Sequence, residues 1–330
     1  MPDPVFVIEC YNLTRRFGDF TAVDAIELHV KKGELFGFLG PNGAGKSTTT
    51  YMLTTLLPPS GGTAKVNGFD IVRESAQVRK SIGIVFQDQT LDARLSAFDN
   101  LDIHGRMYGM PVQERKKRID EVLELVELAD WKHKMVKTFS GGMRRRLEIG
   151  RGLLHLPKIL FLDEPTLGLD VQTRRHMWSY IQKLKSRGIT IVLSTHYLEE
   201  ADMLCDRIAI IDHGKIVALD TPKNLKNSIG GQVLGIKTSD SKKLLDLVVE
   251  KKLGKNPKLL DSLVVFEVLD GAKIIPKIIS LAQKEGIVVE SVELHGASLE
   301  DVFVKLTGEQ IRKESAAPFG MAQGMRKRGF

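Results

Sequence analysis

The chain has 330 residues, a length that fits about two domains of ordinary size. Hydrophobic residues make up 42% and charged residues 27%, a globular mix that excludes a disordered or fibrous chain. The formal charge is +7, but residues 312–330 hold five Lys/Arg against one Glu, so the remainder is near balance and lacks the basic face of a nucleic-acid-binding domain.

No apolar run approaches the roughly 18 residues needed to span a bilayer. Met1-Pro2-Asp3-Pro4 has neither the basic start nor the apolar stretch of a secretory signal, so the expectation is a soluble chain in the cytoplasm. In chain order, alternating residues predict strands at 5–10 and 26–30 with a polar turn at 15–19 between them. A short apolar strand at 35–39 runs into a glycine-rich loop. A helix at 47–56 follows, stopped by Pro58-Pro59 and Gly61-Gly62. Residues 88–137 change character: Ile119, Val122, Leu123, Leu125, Val126 and Leu128 recur at helical spacing and predict a helical insert. Strands return at 159–162 and 189–194, separated by a helix at 173–185, which argues for a mainly parallel α/β core.

Residues 220–222 and 228–231 carry the turn residues of a domain boundary, dividing the chain into 1–227 and 228–309, with a basic tail at 310–330. Strands at 233–238, 263–268 and 288–294 and helices at 242–251, 274–284 and 299–306 predict a small α+β domain, ferredoxin-like in character. It has no clustered His, Cys or paired carboxylates, so chemistry belongs to the first domain. Cys10 and Cys205 are too few for a disulfide framework and read as small buried hydrophobes.

Gly40, Pro41, Asn42, Gly43, Ala44, Gly45, Lys46 and Ser47 fit G-x-x-x-x-G-K-[ST], lying between a predicted strand and a predicted helix. Glycines let successive backbone N–H groups turn inward around phosphates, and the helix N-terminus adds its positive dipole end. Lys46 would reach the β and γ phosphates, and the Ser47 hydroxyl would take a Mg²⁺ position. Thr48 follows at the same helix start. At the end of the apolar run 159–162, Asp163 would hold Mg²⁺ through water. Glu164, one residue on, is placed to orient or deprotonate the attacking water.

Between these motifs stands Phe139-Ser140-Gly141-Gly142-Met143, and the three strings together resemble the signature of ATP-binding-cassette (ABC) ATPases. Gln87 resembles the Q-loop glutamine, Asp170 the D-loop aspartate, His196 the switch histidine, and Phe17 the aromatic that stacks on adenine. Phe139 and Met143 stand where Leu and Gln are usual, and Phe17 where Tyr is frequent; Ser140, Gly141 and Gly142 are intact. Residues 139–147 and 298–308 are similar to daunorubicin-resistance-type ATP-binding subunits.

The resemblance implies a P-loop ABC cassette: a mainly parallel sheet, an antiparallel β subdomain and a helical subdomain, with the small α+β domain appended. It implies ATP and Mg²⁺ as ligands, with Ser47, Gln87 and Asp163 around the metal. The catalytic set would be Lys46, Gln87, Glu164 and His196. ATP would lie against Phe17, residues 40–48 and, from a second cassette, Ser140, Gly141, Gly142 and Asp170. It also implies a homodimer or paired cassette and a separate transmembrane permease, with multidrug or antibiotic-type efflux driven from the cytoplasmic side of the cell membrane. No nucleic-acid partner is expected. Two other readings stand beside it. A soluble cassette ATPase acting on ribosomes or nucleic acid would usually carry a second cassette or a long coiled coil, and the sequence has neither. The C-terminal domain could bind a regulatory small molecule or simply stabilise a dimer.

Overall fold

A computed structural model of the chain describes residues 6–228, 232–260, 263–268 and 270–307; the basic segment 310–330 lies outside them. The chain opens as a hairpin of β1 (Phe6–Phe17) and β2 (Phe20–Lys31). The predicted polar turn at 15–19 is too wide. Arg15 pairs with Val23 and Arg16 with Thr21, leaving the reversal to Gly18, at φ 56°, and Asp19. Charged side chains on the open face of a hairpin look like a turn in sequence but cost the strand nothing.

After β3 (Leu35–Leu39) and α1 (Lys46–Leu53), the chain adds β4 (Gly61–Val66) and β5 (Phe69–Asp70), giving an antiparallel sheet in the order β2-β1-β4-β5. Gly61 and Gly62 therefore begin a strand rather than only stopping a helix. At Gly62, with φ 70°, a Cβ would lie 2.0 Å from the Asn12 carbonyl oxygen, so close backbone approach beside a register shift in β1 requires glycine.

The second sheet joins β3 to β6 (Ile82–Val85), β7 (Ile159–Asp163), β8 (Thr190–Thr195), β9 (Arg207–Asp212) and β10 (Lys215–Asp220), in the order β10-β9-β3-β8-β7-β6. All its pairings are parallel except β9 with β10. Strands β3, β7 and β8 are buried along their whole length and β6 and β9 over most of theirs, while β10 is an edge strand with no fully buried residue. The side chains of the inner strands alternate between two cores. Phe36, Phe38, Phe161 and Val192 point toward the antiparallel sheet and α1. Leu35, Leu39, Leu160, Leu162 and Leu193 point toward the helical side. That side holds α3 (Ala97–Met107) and α4 (Val112–Leu125) of the insert. It also holds α5 (Gly141–Leu153), α6 (Val171–Ser186) and α7 (Leu198–Leu204); α2 (Ser75–Ser81) precedes β6.

Beyond α8 (Pro222–Ser228), the chain runs β11 (Gln232–Thr238), α9 (Ser241–Glu250), β12 (Lys255–Leu260), β13 (Leu263–Val268), α10 (Gly271–Lys284), β14 (Val289–His295) and α11 (Leu299–Thr307). The four strands form an antiparallel sheet in the order β12-β13-β11-β14, the split β-α-β arrangement of ferredoxin-like domains. The sequence reading lacks β12, a polar edge strand containing Pro257, which carries no apolar alternation. Leu299, Val302 and Phe303 of α11 leave this domain's own core and join the buried cluster of Ala201, Leu204 and Leu225, on α7 and α8.

Candidate active site

The site grows from the carboxyl ends of β3, β7 and β8, where a parallel sheet directs its strand-to-helix loops. At the exit of β3, a Cβ on Gly40 would lie 2.3 Å from the Ile211 carbonyl oxygen. Before α1, Gly45 has φ 107°, and a Cβ there would lie 2.6 Å from the Ala22 carbonyl oxygen. Both positions accept only glycine. Pro41 and Ala44 are at least partly buried between them, and Asn42 and Gly43 form the exposed tip.

Lys46, the first residue of α1, is buried and donates from Nζ to the carbonyls of Gly40 (2.8 Å) and Pro41 (3.0 Å). Its Nζ also lies 3.5 Å from Glu164 Oε1. Burial pulls the Lys46 pKa below its ordinary value, and Glu164 opposes that pull. Ser47 Oγ donates to Asp163 Oδ1 at 3.3 Å, and the Ser194 hydroxyl donates to the same oxygen. Asp163 Oδ2 is buried with no hydrogen-bond partner. A hydroxyl beside a carboxylate with an unpartnered oxygen is a hard-donor set that fits Mg²⁺ with water completing its shell.

Glu164 sits in the left-handed region at φ 46°, its N–H bonded to the Ser194 carbonyl at 3.0 Å. A non-glycine residue held there costs about 1–3 kcal/mol and persists only where its surroundings over-determine it. The turn re-aims the side chain: Glu164 Oε2 meets His196 Nδ1 at 2.8 Å, while Oε1 faces Lys46. His196 Nε2 is buried without a partner. Cation, carboxylate and imidazole are thus joined in one line, with a phosphate-loop helix start beside them.

A second group assembles separately. Ser140 caps α5, accepting from the Met143 N–H at 3.3 Å. Asp170 caps α6, accepting from the Thr173 N–H at 2.9 Å and its hydroxyl at 2.6 Å. Gly142 lets the two helix starts meet: a Cβ there would lie 2.7 Å from Thr173 Cγ2. A cavity of about 280 Å³ lies between them, lined by Ser140, Gly142, Met143, Gln172 and Thr173 among others. Ser140, Gly141 and Asp170 are exposed.

Three sequence candidates stand apart from both groups. Phe17 is exposed at the end of β1, with the Arg15 guanidinium 4.6 Å from its ring centroid. Gln87 is exposed just after β6 and is not drawn into hydrogen bonds with Ser47 or Asp163. Thr48 is half-buried on α1, outside the bonds described above. Phe139, where the sequence departs from the usual Leu, is buried and packs edge-on against Trp131 with centroids 5.6 Å apart.

Arg145, Glu148 and Glu200 are buried charged side chains that the sequence motifs did not single out. Arg145 reaches the carbonyls on either side of Glu164, and it pairs with Glu148. Glu200 accepts from Thr166 Oγ1 (2.7 Å) and Trp178 Nε1 (2.9 Å), tying the loop after Glu164 to α6 and α7, and burial pushes its carboxyl pKa up. Glu199 beside it is exposed, and nothing in the sequence separates the two.

Comparison with known proteins places these features in context. The model of the ABC transporter family matches residues 23–167. A daunorubicin resistance ATP-binding protein of Streptomyces coeruleorubidus is 39% identical, the match covering 92% of this chain and 96% of that protein. A linearmycin resistance ATP-binding protein of Bacillus subtilis is 37% identical over 93% of this chain and all of its own length. Among solved structures, cbiO1 of Clostridium perfringens, part of an ABC transporter complex, is 29% identical with a TM-score of 0.63, covering 67% of this chain and 90% of its own. A dimeric ATP-binding cassette in a post-hydrolysis state with ADP and Pi is 28% identical with a TM-score of 0.58, covering 65% of this chain and 98% of its own.

Proposed function

The chain belongs to the ABC transporter family as an ATP-binding, ATP-hydrolysing subunit of a drug-type exporter, and from that premise we propose that two such cassettes close head to tail over ATP. Each nucleotide lies between residues 40–48 of one chain and Ser140, Gly141, Gly142 and Asp170 of the other, in a homodimer or with a paired cassette. The observation that carries this reading is the division of the site. Lys46, Glu164 and His196 are bonded into one buried line, whereas Ser140 and Asp170 cap a separate, exposed pair of helices. A two-fold axis brings one group of each chain against the other group of its partner.

In the mechanism, Lys46 exchanges the Gly40 and Pro41 carbonyls for the β and γ phosphate oxygens. Ser47 and Asp163 would hold Mg²⁺, which would neutralise charge developing on the phosphates. Glu164 orients the attacking water and accepts its proton, while His196 steadies that carboxylate through Nδ1 and offers Nε2 toward the γ-phosphate. Phe17 stacks on the adenine, and stacking needs its ring rather than a hydroxyl. Gln87 enters the metal site only when the loop after β6 moves inward. The γ-phosphate glues the interface, so hydrolysis releases the partner.

Among the described residues no helix is long and apolar enough to cross a membrane. We place the transport path in a separate permease that docks the subunit on the cytoplasmic face. Exposed Ile103, Met107 and Val112 on the α3–α4 insert support docking there. Relatives named for resistance to daunorubicin and linearmycin support a drug-type cargo, while one named for Nod factor export widens the class. The test is sedimentation of Glu164→Gln with and without Mg-ATP. The variant should dimerise only with nucleotide; a monomer at saturating ATP, with no companion cassette able to pair with it, overturns the arrangement.

A further inference from the structure

Arg145 is the middle of three consecutive arginines on α5, and it alone of the three is fully buried. Its Nε donates to the Pro165 carbonyl at 2.9 Å and its Nη2 to the Asp163 carbonyl at 2.7 Å. Those two carbonyls bracket Glu164, the residue in the left-handed conformation. Its Nη1 donates to the Phe86 carbonyl, immediately before Gln87, and to Glu148 Oε2 at 3.0 Å. Glu148, also buried, accepts the Thr90 N–H at 2.9 Å through its other oxygen. One turn further along α5, Arg151 holds the Thr90 carbonyl at 3.0 Å and the Thr90 hydroxyl. The loop carrying exposed Gln87 is therefore pinned at both ends to the helix that begins with the signature, and the same guanidinium grips the backbone around Glu164.

We infer that Arg145, with Glu148, is a positioning element that sets the aim of Glu164 and couples it to the position of the Gln87 loop. This rests on the ATPase reading of the site. The guanidinium is planar and its donors have fixed directions, so the carbonyls of Phe86, Asp163 and Pro165 cannot shift independently while all three bonds hold. A lysine would preserve the charge and partner Glu148 but could not span three carbonyls in one plane. When the insert and α5 move on closing over nucleotide, the pull on Phe86 and Thr90 is transmitted to both neighbours of Glu164. The left-handed turn at Glu164 is then kept by the guanidinium bonds together with the Ser194 carbonyl, and its side chain stays on the line to His196.

The experiment compares wild type, Arg145→Lys and the double variant Arg145→Met/Glu148→Leu, which removes both charges and leaves neither buried alone. ATP binding is measured by calorimetry and turnover by steady-state phosphate release. Both variants should bind ATP within about two-fold of wild type while kcat falls by on the order of 10- to 100-fold, the scale of a slightly misplaced catalytic group. Wild-type kcat in a folded Arg145→Lys or double variant overturns the inference, as does a loss confined to ATP affinity. Amide exchange on the wild-type chain gives an arm independent of variant folding. The Thr90 N–H, in an exposed loop, should be strongly protected; free exchange there also overturns it. Failure of the underlying ATPase reading looks different, because wild type itself would then lack turnover.

Discussion

Lys46 and Ser140 both stand at helix starts, on α1 and α5, yet their surroundings differ in kind. Lys46 is buried and satisfied within its own chain by two carbonyls and a carboxylate. Ser140 is exposed, bonded only to its own helix, beside an open cavity it shares with the start of α6. The first group contains charges that would be costly to leave unpaired, so the chain completes them internally. The second offers backbone N–H groups and a dipole end that solvent can satisfy until a phosphate arrives. A single chain can thus fold stably with one half closed and the other open, which is what an assembly regulated by its ligand requires.

The largest expected effect tests the closed half. Glu164→Gln should lower turnover by on the order of 10²–10⁴ while the chain still binds ATP. The shape of the carboxamide is nearly that of the carboxylate, so the fold has little reason to change. An undiminished rate would remove Glu164 from proton transfer and leave its bond to His196 a structural one. Next in size, Lys46→Ala removes a cation that forms charge-assisted bonds. ATP affinity measured by calorimetry should fall by on the order of 100-fold, and unchanged affinity would contradict its place on the phosphates.

Ser140→Ala separates the two halves directly. If Ser140 serves the partner's nucleotide, the dilute monomer should bind ATP as wild type does. Turnover at low protein concentration should fall by roughly 10-fold, from one lost hydrogen bond and a weakened helix cap. A matching loss of affinity in the monomer would mean that Ser140 acts on its own chain's nucleotide, and the division of the site would fail.

The phosphate loop could be read from the sequence because its constraint is local. Gly40 and Gly45 are fixed by backbone approach and by φ, and Lys46 and Ser47 follow at set positions on the same turn. Asp163 was legible as the end of a buried strand. Arg145 was not, because three adjacent arginines look alike until α5 fixes which one turns toward β7. Glu200 was hidden beside Glu199 for the same reason. In the fold, β4 and β12 are weakly marked in the sequence, by glycines at the start of one and lysine, asparagine and proline in the other, whereas β9 and β10 carry apolar runs that the sequence reading also left out. The docking of α11 on α7 and α8 depends on contacts across about 70 residues or more of chain, which no periodicity in α11 specifies.

The smallest expected effect concerns the helical side that carries the open half. His104 on α3, Tyr108 and His155 form an aromatic cluster, with Tyr108 and His155 stacked at 3.9 Å between ring centroids. Burial, with Arg151 and His155 adding repulsion, pushes the His104 pKa from 6.5 down to about 4. Burial also lowers that of His155, against the opposing hydrogen bond to the Ile82 carbonyl. A depressed histidine pKa means the unfolded chain binds protons more readily than the folded one. Stability is therefore fully present above the unfolded value and is lost as pH falls from 6.5 toward 4. His104 is partly accessible, so screening reduces its share to about 1 kcal/mol at pH 5. Urea unfolding of wild type and His104→Leu at pH 7 and pH 5 measures it: acidification should cost the variant less by that amount. Equal losses would show that this cluster does not titrate with unfolding, and the acid sensitivity of the helical side would then have to come from buried Asp102, paired with buried Arg115 and with exposed Arg106.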